Sequence, residues 1–205
     1  MLILDHLAVA AEDLATGVAY VESALGVKMS AGGEHPLMGT HNRLLGLADG
    51  LYLEVITINP AAPESPHPRW FDLDNFRGTP RLTNWVVRTD NINTAVTHSP
   101  EGVGIPMALN RGDLRWKMAV PENGKLPFGG AFPALIEWEG DAHPAARLPQ
   151  SGCRLCKFEI FHPKAIELRA VMGGLFEDDR VSIEEASKIS FRAEFETPDG
   201  VRVLK

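Results

Sequence analysis

His6 stands in the stretch LDHLAVAAEDL (residues 4–14), and Glu54 in YLEVI (residues 52–56). A histidine or a glutamate inside an apolar run is costly to bury alone. Each is therefore either a satisfied core group or a side chain turned into a cavity. Imidazole and carboxylate brought together can move protons or hold a divalent cation. Asn84 in LTNWVVRTDNI (82–92) and Glu137 in PALIEWEG (133–140) are polar residues in similar apolar settings. A third motif, Cys153-Arg-Leu-Cys156, has redox or zinc spacing. The residues after it, KFEIF, alternate like a strand and not like the helix that activates a redox thiolate, and no second CxxC completes a zinc site.

The elements that position these groups follow from periodicity. Residues 4–10 alternate as a strand, which predicts Leu4, His6, Ala8 and Ala10 on one face and Leu7 and Val9 on the other. Asp13 is the expected N-cap of a helix carrying Leu14, Val18, Val21 and Leu25 at helical spacing, with Gly26 as its stop. Two or three strands follow through residue 59, with ADG (48–50) as a turn. Residues 60–80 hold five prolines and little periodicity, and read as a linker or lid.

The plan then repeats. LTNWVVRTDNI lies beneath LDHLAVAAEDL position by position: Leu82 under Leu4, Asn84 under His6, Val87 under Val9, Asn91 under Asp13. LYLEV (51–55) lies over ALIEW (134–138), which sets Glu54 against Glu137. A short helix and strands in LRWKMAV and PALIEWEG complete the second copy. The tail carries a strand (LCKFEIFHP), a helix stopped by Gly-Gly (KAIELRAVMGGL) and a hairpin turning at Asp199-Gly200. Two weak half-sites related by such a repeat can face one cavity.

The chain has 205 residues, 44% of them hydrophobic and 23% charged, with a formal net charge of −7. That balance describes a globular protein and argues against general nucleic-acid binding, which needs a basic face. No apolar run approaches membrane length, and the N-terminal run carries Asp5 with no basic region before it, so cytoplasmic residence is the expectation.

In the order and spacing of LDHLAVAAEDL, GVKMSAGGEHPLMGTHNRLLGL, YLEVI, LTNWVVRTDNI and PALIEWEGDAHPAARLP, the chain resembles the glyoxalase-like branch of the vicinal oxygen chelate superfamily. The resemblance spans most of residues 2–150. It implies an α+β fold: paired βαβββ modules forming a cup-shaped mixed sheet, residues 1–59 and 81–150, joined by the Pro-rich 60–80. Residues 151–205 would add a partial third βα/hairpin unit. The resemblance carries a metal-ligand role to His6, Glu54, Asn84 and Glu137. It implies a divalent ion (Mn, Mg, Co, Ni or Zn) that binds adjacent substrate oxygens and stabilises an enediolate-like intermediate. Glu137 or Glu54 would move the proton, with Glu137 preferred.

Asn84 departs from the histidine or glutamine usual at its place. That leaves either three protein ligands or a lost metal site, and makes a metal-free binding or sequestering protein the alternative reading. An extradiol-type dioxygenase, which needs a second histidine there, is less favoured. Substrate-binding candidates are His41, Arg43, Arg88, Trp85, Trp116 and His143; Arg115, Lys117 and Arg154 are further cations, and Trp138 a further aromatic. His35, His67, His143 and His162 precede proline, which favours loop placement. The partner is a small molecule, with no nucleic acid or membrane. Relatives close the cup within one chain or across a dimer, so a homodimer is one expectation.

Overall fold

The computed structural model describes residues 1–205. Its first copy of the repeat runs β1 (Ile3–Ala10), α1 (Leu14–Leu25), β2 (Ser30–His35), β3 (Thr40–Gly46) and β4 (Tyr52–Ile58). The second runs β5 (Arg81–Arg88), α2 (Ile92–Thr97), β6 (Ile105–Arg111), β7 (Leu114–Val120) and β8 (Ala134–Trp138), and a short α3 (Pro144–Arg147) follows. The eight strands form one curled sheet in the order β2-β3-β4-β1-β5-β8-β7-β6. The repeat is visible at the helix starts. Asp13 accepts from Thr16 N–H at 2.8 Å, and its counterpart Asn91 accepts from Thr94 N–H at 2.9 Å.

The two copies meet along β1 and β5, which pair antiparallel with Leu7 opposite Trp85. His6 lies opposite Val86 and Ala8 opposite Asn84, so the pseudo-twofold axis passes between Leu7 and Trp85. The ladder slips twice, once between Leu4 and His6 and once between Ala8 and Val9, where Asn84 and Leu82 are the partners. Asp5 and Thr83 are thus the extra residues of two symmetry-related bulges, which bend the strands and re-aim their side chains. Leu4 consequently joins Leu7 and Val9 in the outer core, while Ala8 and Ala10 face the cup. The regular alternation expected from sequence, with Leu4 beside His6, breaks at Asp5.

The third unit is β9 (Arg154–His162), α4 (Ala165–Met172), β10 (Val181–Glu185), β11 (Ser190–Thr197) and β12 (Gly200–Leu204), a separate four-stranded sheet in the order β10-β9-β11-β12. Its Leu155, Phe158, Ile160, Leu168 and Phe195 pack with Leu4, Leu7, Leu53, Trp85 and Leu135 in one core on the outside of the large sheet. Strand β10 has too charged a sequence (VSIEE) to be read as a strand, and it pairs with β9 in parallel. Cys153 is buried, Cys156 exposed, and both are free. No helix is long and apolar enough to cross a membrane.

The inside of the cup is filled. The Pro-rich segment folds into a short 3-10 turn at Trp70–Asn75, and Trp70, Phe71, Leu73 and Phe76 insert among Ala8, Val86, Trp116, Met118 and Ile136. Phe71 and Asp72 hold φ of +59° and +54°. That left-handed backbone costs a non-glycine residue of order 1 kcal/mol or more and persists only where packing dictates it.

Candidate functional site

What remains open in the cup is a cavity of about 30 Å³, room for one water, lined by His6, Glu54, His35, Asn42, Arg111 and aromatic side chains. The bulge at Asp5 builds one side of it. His6 Nδ1 lies 2.6 Å from Asp5 Oδ1, and His6 Nε2 lies 3.6 Å from Glu54 Oε2. Asp5 Oδ2 accepts from Trp138 Nε1 at 3.1 Å and from His143 Nε2 at 2.9 Å, with the Arg88 guanidinium 3.6 Å away. His143 Nδ1 accepts from Ala145 N–H, which assigns its proton to Nε2. The Tyr52 ring stacks on His6 at 4.3 Å.

These contacts set the charges. Burial opposes protonation of His6, but the hydrogen bond to Asp5 and the nearby Glu54 carboxylate outweigh it and push the imidazole up to about 9. Burial likewise favours a neutral Asp5, yet His143 and His6 hold it well below the ordinary carboxylate range. Glu54 is held down against burial by His6, with the Asn42 amide donating to Oε1 at 2.6 Å. The result is a buried imidazolium between two carboxylates.

A second cation enters from the far edge of the sheet. Arg111, at the end of β6, donates through one NH group to Asn42 Oδ1 and to His35 Nε2, both at 3.3 Å. Its stem crosses β2 at Gly33, where a Cβ would sit 2.5 Å from Arg111 Cδ. Burial pushes His35 down to about 4, with the nearby Glu54 charge opposing and Arg111 reinforcing, so His35 is a neutral acceptor.

Of the residues singled out from sequence, the structure brings together His6, Glu54, His143, Arg88, Trp116 and Trp138. It separates the others. Glu137 alternates with Ile136 and Trp138 and points to the outer face, where it accepts from Ile92 N–H at 2.7 Å and pairs with Lys117 at 2.9 Å. The ladder explains the misplacement: Glu54 lies beside Ala8, and the equivalent of Ala8, Val86, lies beside Ala134. Ala134 therefore occupies the position related to Glu54. Asn84 faces a different cavity, beyond Phe71. Trp85 is in the outer core, donating to Ala131 C=O at 2.9 Å. His41 and Arg43 alternate with Asn42 and so occupy the opposite face of β3.

Asp5, His35, Asn42 and Arg111 escaped the sequence reading. A charged residue next to His6 in an apolar strand was a usable signal for Asp5. His35 ends a strand despite its following proline, and nothing local marks Asn42 or Arg111.

The donor set does not fit a divalent ion. Two candidate donors, His6 Nε2 and Glu54 Oε2, converge at 3.6 Å, while His6 Nδ1 is held by Asp5 and Glu54 Oε1 by Asn42. The second copy supplies Ala134 and a remote Asn84 in place of a carboxylate and a ligand, no group of three or more His, Cys, Asp or Glu side chains has metal-holding geometry, and a guanidinium already lines the cavity.

The structural likeness to known proteins is one of fold. A hypothetical protein from Staphylococcus aureus shares 14% identity at a TM-score of 0.61, covering 93% of this chain and 88% of that one. Methylmalonyl-CoA epimerase from Streptomyces coelicolor, solved as a single-residue variant in complex with 2-nitronate-propionyl-CoA, shares 14% identity at a TM-score of 0.45 over 69% of this chain and 100% of its own. The Mycobacterium tuberculosis epimerase shares 14% at 0.44, covering 68% and 88%. A search of curated protein sequences found no match. The sequence model of the glyoxalase-like domain matches residues 4–176. The chain therefore belongs to the glyoxalase-like domain family, within the vicinal oxygen chelate superfamily.

Proposed function

We propose that the protein is a small-molecule isomerase or lyase that moves a proton at a carbon beside a carbonyl, with charges from its own side chains in place of a metal. The observation that carries this reading is the buried His6 imidazole, held by Asp5 and 3.6 Å from the Glu54 carboxylate, both lining one cavity. Glu54 is the base. It takes the proton as the C–H bond breaks, and the electron pair moves onto the carbonyl oxygen. The His6 Nε2–H and the Arg111 guanidinium stabilise that oxyanion, because positive groups already oriented in a dry site need no rearrangement when charge develops. Glu54 then returns the proton to carbon, or a leaving group departs from the neighbouring carbon. Asp5 fixes the imidazole, and His143 and Trp138 fix Asp5.

The test is hydrogen exchange. Ketones, 2-oxo acids and thioesters with an acidic hydrogen beside the carbonyl are incubated with the protein in D₂O and followed by NMR. At least one gains deuterium, and Glu54→Gln and His6→Gln each slow it by about a hundredfold or more, the usual worth of a positioned acid–base group. Exchange that is absent across the panel, or undiminished in Glu54→Gln, rejects the reading. The filled cup favours a second reading, binding without turnover, which that negative result would support.

A further inference from the structure

The cavity at His6 and Glu54 is too small for any organic substrate, yet behind one of its walls lies a cleft of about 1030 Å³. Phe71 is the residue common to both. The cleft runs from the Pro-rich segment and the start of β5, under the loop 125–130, to β11 and Lys205 of the third unit. Its size is that of a small-molecule site.

Three features of its walls define a ligand. First, Arg81, Lys125, Arg192 and Lys205 line it against a single carboxylate, Asp72, in a chain of net charge −7. Arg192 is already held by Glu159 and Glu194, and Lys125 lies 3.9 Å from Asp72. Arg81 has no carboxylate partner: one NH group donates to the carbonyls of Arg77 and Thr79, and its guanidinium lies 4.3 Å over the Phe76 ring. That leaves a planar donor free on the cleft side.

Second, Asn84 is 3% exposed, faces this cleft and has no hydrogen-bond partner in the chain. The neighbouring Thr83 hydroxyl is buried and equally unpartnered. The Asn84 amide, which opens only onto the cleft, is placed for a polar group of a ligand, whereas the Thr83 hydroxyl is closed off from it. The loop 125–130 comes close over Asn84 and spares it a side chain: at Gly130, φ +94°, a Cβ would lie 3.3 Å from Asn84 Nδ2. Third, Phe71, Phe76 and Phe191 supply apolar wall.

We propose that this cleft binds a small organic anion with an aryl or acyl body. The anionic head lies at Arg81, the body against Phe71 and Phe76, and a carbonyl or amide of the ligand at Asn84. Resting on the proton-transfer reading, the cleft is also where substrate waits, its reactive end reaching His6 and Glu54 when Phe71 turns aside.

Calorimetry with 1-naphthalenesulfonate, and with uncharged 1-naphthalenemethanol as the matched control, tests the binding site. One saturable site per chain is expected for the sulfonate, at least tenfold weaker for the alcohol. Arg81→Gln, at an exposed position where folding is safe, weakens the sulfonate at least tenfold, and Asn84→Leu weakens it with the fold checked by thermal melt. Glu54→Gln binds as the parent does, so loss of deuterium exchange and loss of cleft binding are separate failures. No saturable binding, equal binding of the alcohol, or undiminished binding in Arg81→Gln overturns the proposal.

Discussion

His6 Nδ1 lies 2.6 Å from Asp5 Oδ1, a contact between chain neighbours whose side chains a regular strand would send to opposite faces. The bulge that permits it turns a buried charge pair into the base of the cup, and it ties stability to pH. The folded-state pKa of His6 is raised, so the stability it contributes is complete below about 6.5 and is lost as pH rises through about 9. Urea unfolding of the parent should weaken across that window. Asp5→Asn removes the charge and one of two acceptor oxygens, so either His6 or His143 and Trp138 lose their partner; it should cost about 2–4 kcal/mol at neutral pH and flatten the alkaline slope.

Metal analysis of protein equilibrated with Mn²⁺, Ni²⁺, Zn²⁺ or Mg²⁺ should give well under one ion per chain. One ion per chain, lost in His6→Ala, would show that side chains rearrange to complete a chelate, and would reject the reading of the donor set.

Glu137 supports the start of α2 and pairs with Lys117, away from the cup. Glu137→Ala should lower stability by about 1–2 kcal/mol, the worth of a charged cap and a half-buried pair, and leave deuterium exchange within twofold. A large loss of exchange with the fold intact would place Glu137 in the chemistry after all.

Gly17 lies in α1 where a Cβ would meet Val55 Cγ1 at 2.6 Å and Ala11 Cβ at 2.9 Å. Alanine gains about 1 kcal/mol of helix propensity there but overpacks a core contact, at about 1–3 kcal/mol. Val55 is fixed on β4 and Ala11 is buried in the connection leading into α1, and both side chains are short, so the clash prevails. Gly17→Ala should melt below the parent.

Sequence carried the fold well where local chemistry repeats. The Asp13 cap, the helical spacing of Val21 and Leu25, and the Asp199-Gly200 turn are all short-range signals. The site was half legible. His6 and Glu54 stood out because an apolar strand makes each polar residue conspicuous. Glu137 looked equivalent to Glu54 because both sit in apolar runs, but a strand's face depends on register, and the ladder shifts the match by three residues to Ala134. Arg111 could not be found this way, since it meets His35 and Asn42 only when the sheet curls and brings its two edges together.

That closure has a mechanical consequence. Strands β2 and β6 are the two ends of the curled sheet, near each other but with no ladder between them. The Arg111 side chain fastens one rim to the other through its two 3.3 Å hydrogen bonds. The sheet is a split ring with a clasp. Parting the rims would break those two bonds and the edge contacts of His35 with Trp70 and Trp116 but no backbone pairing, so side chains alone hold the ring closed.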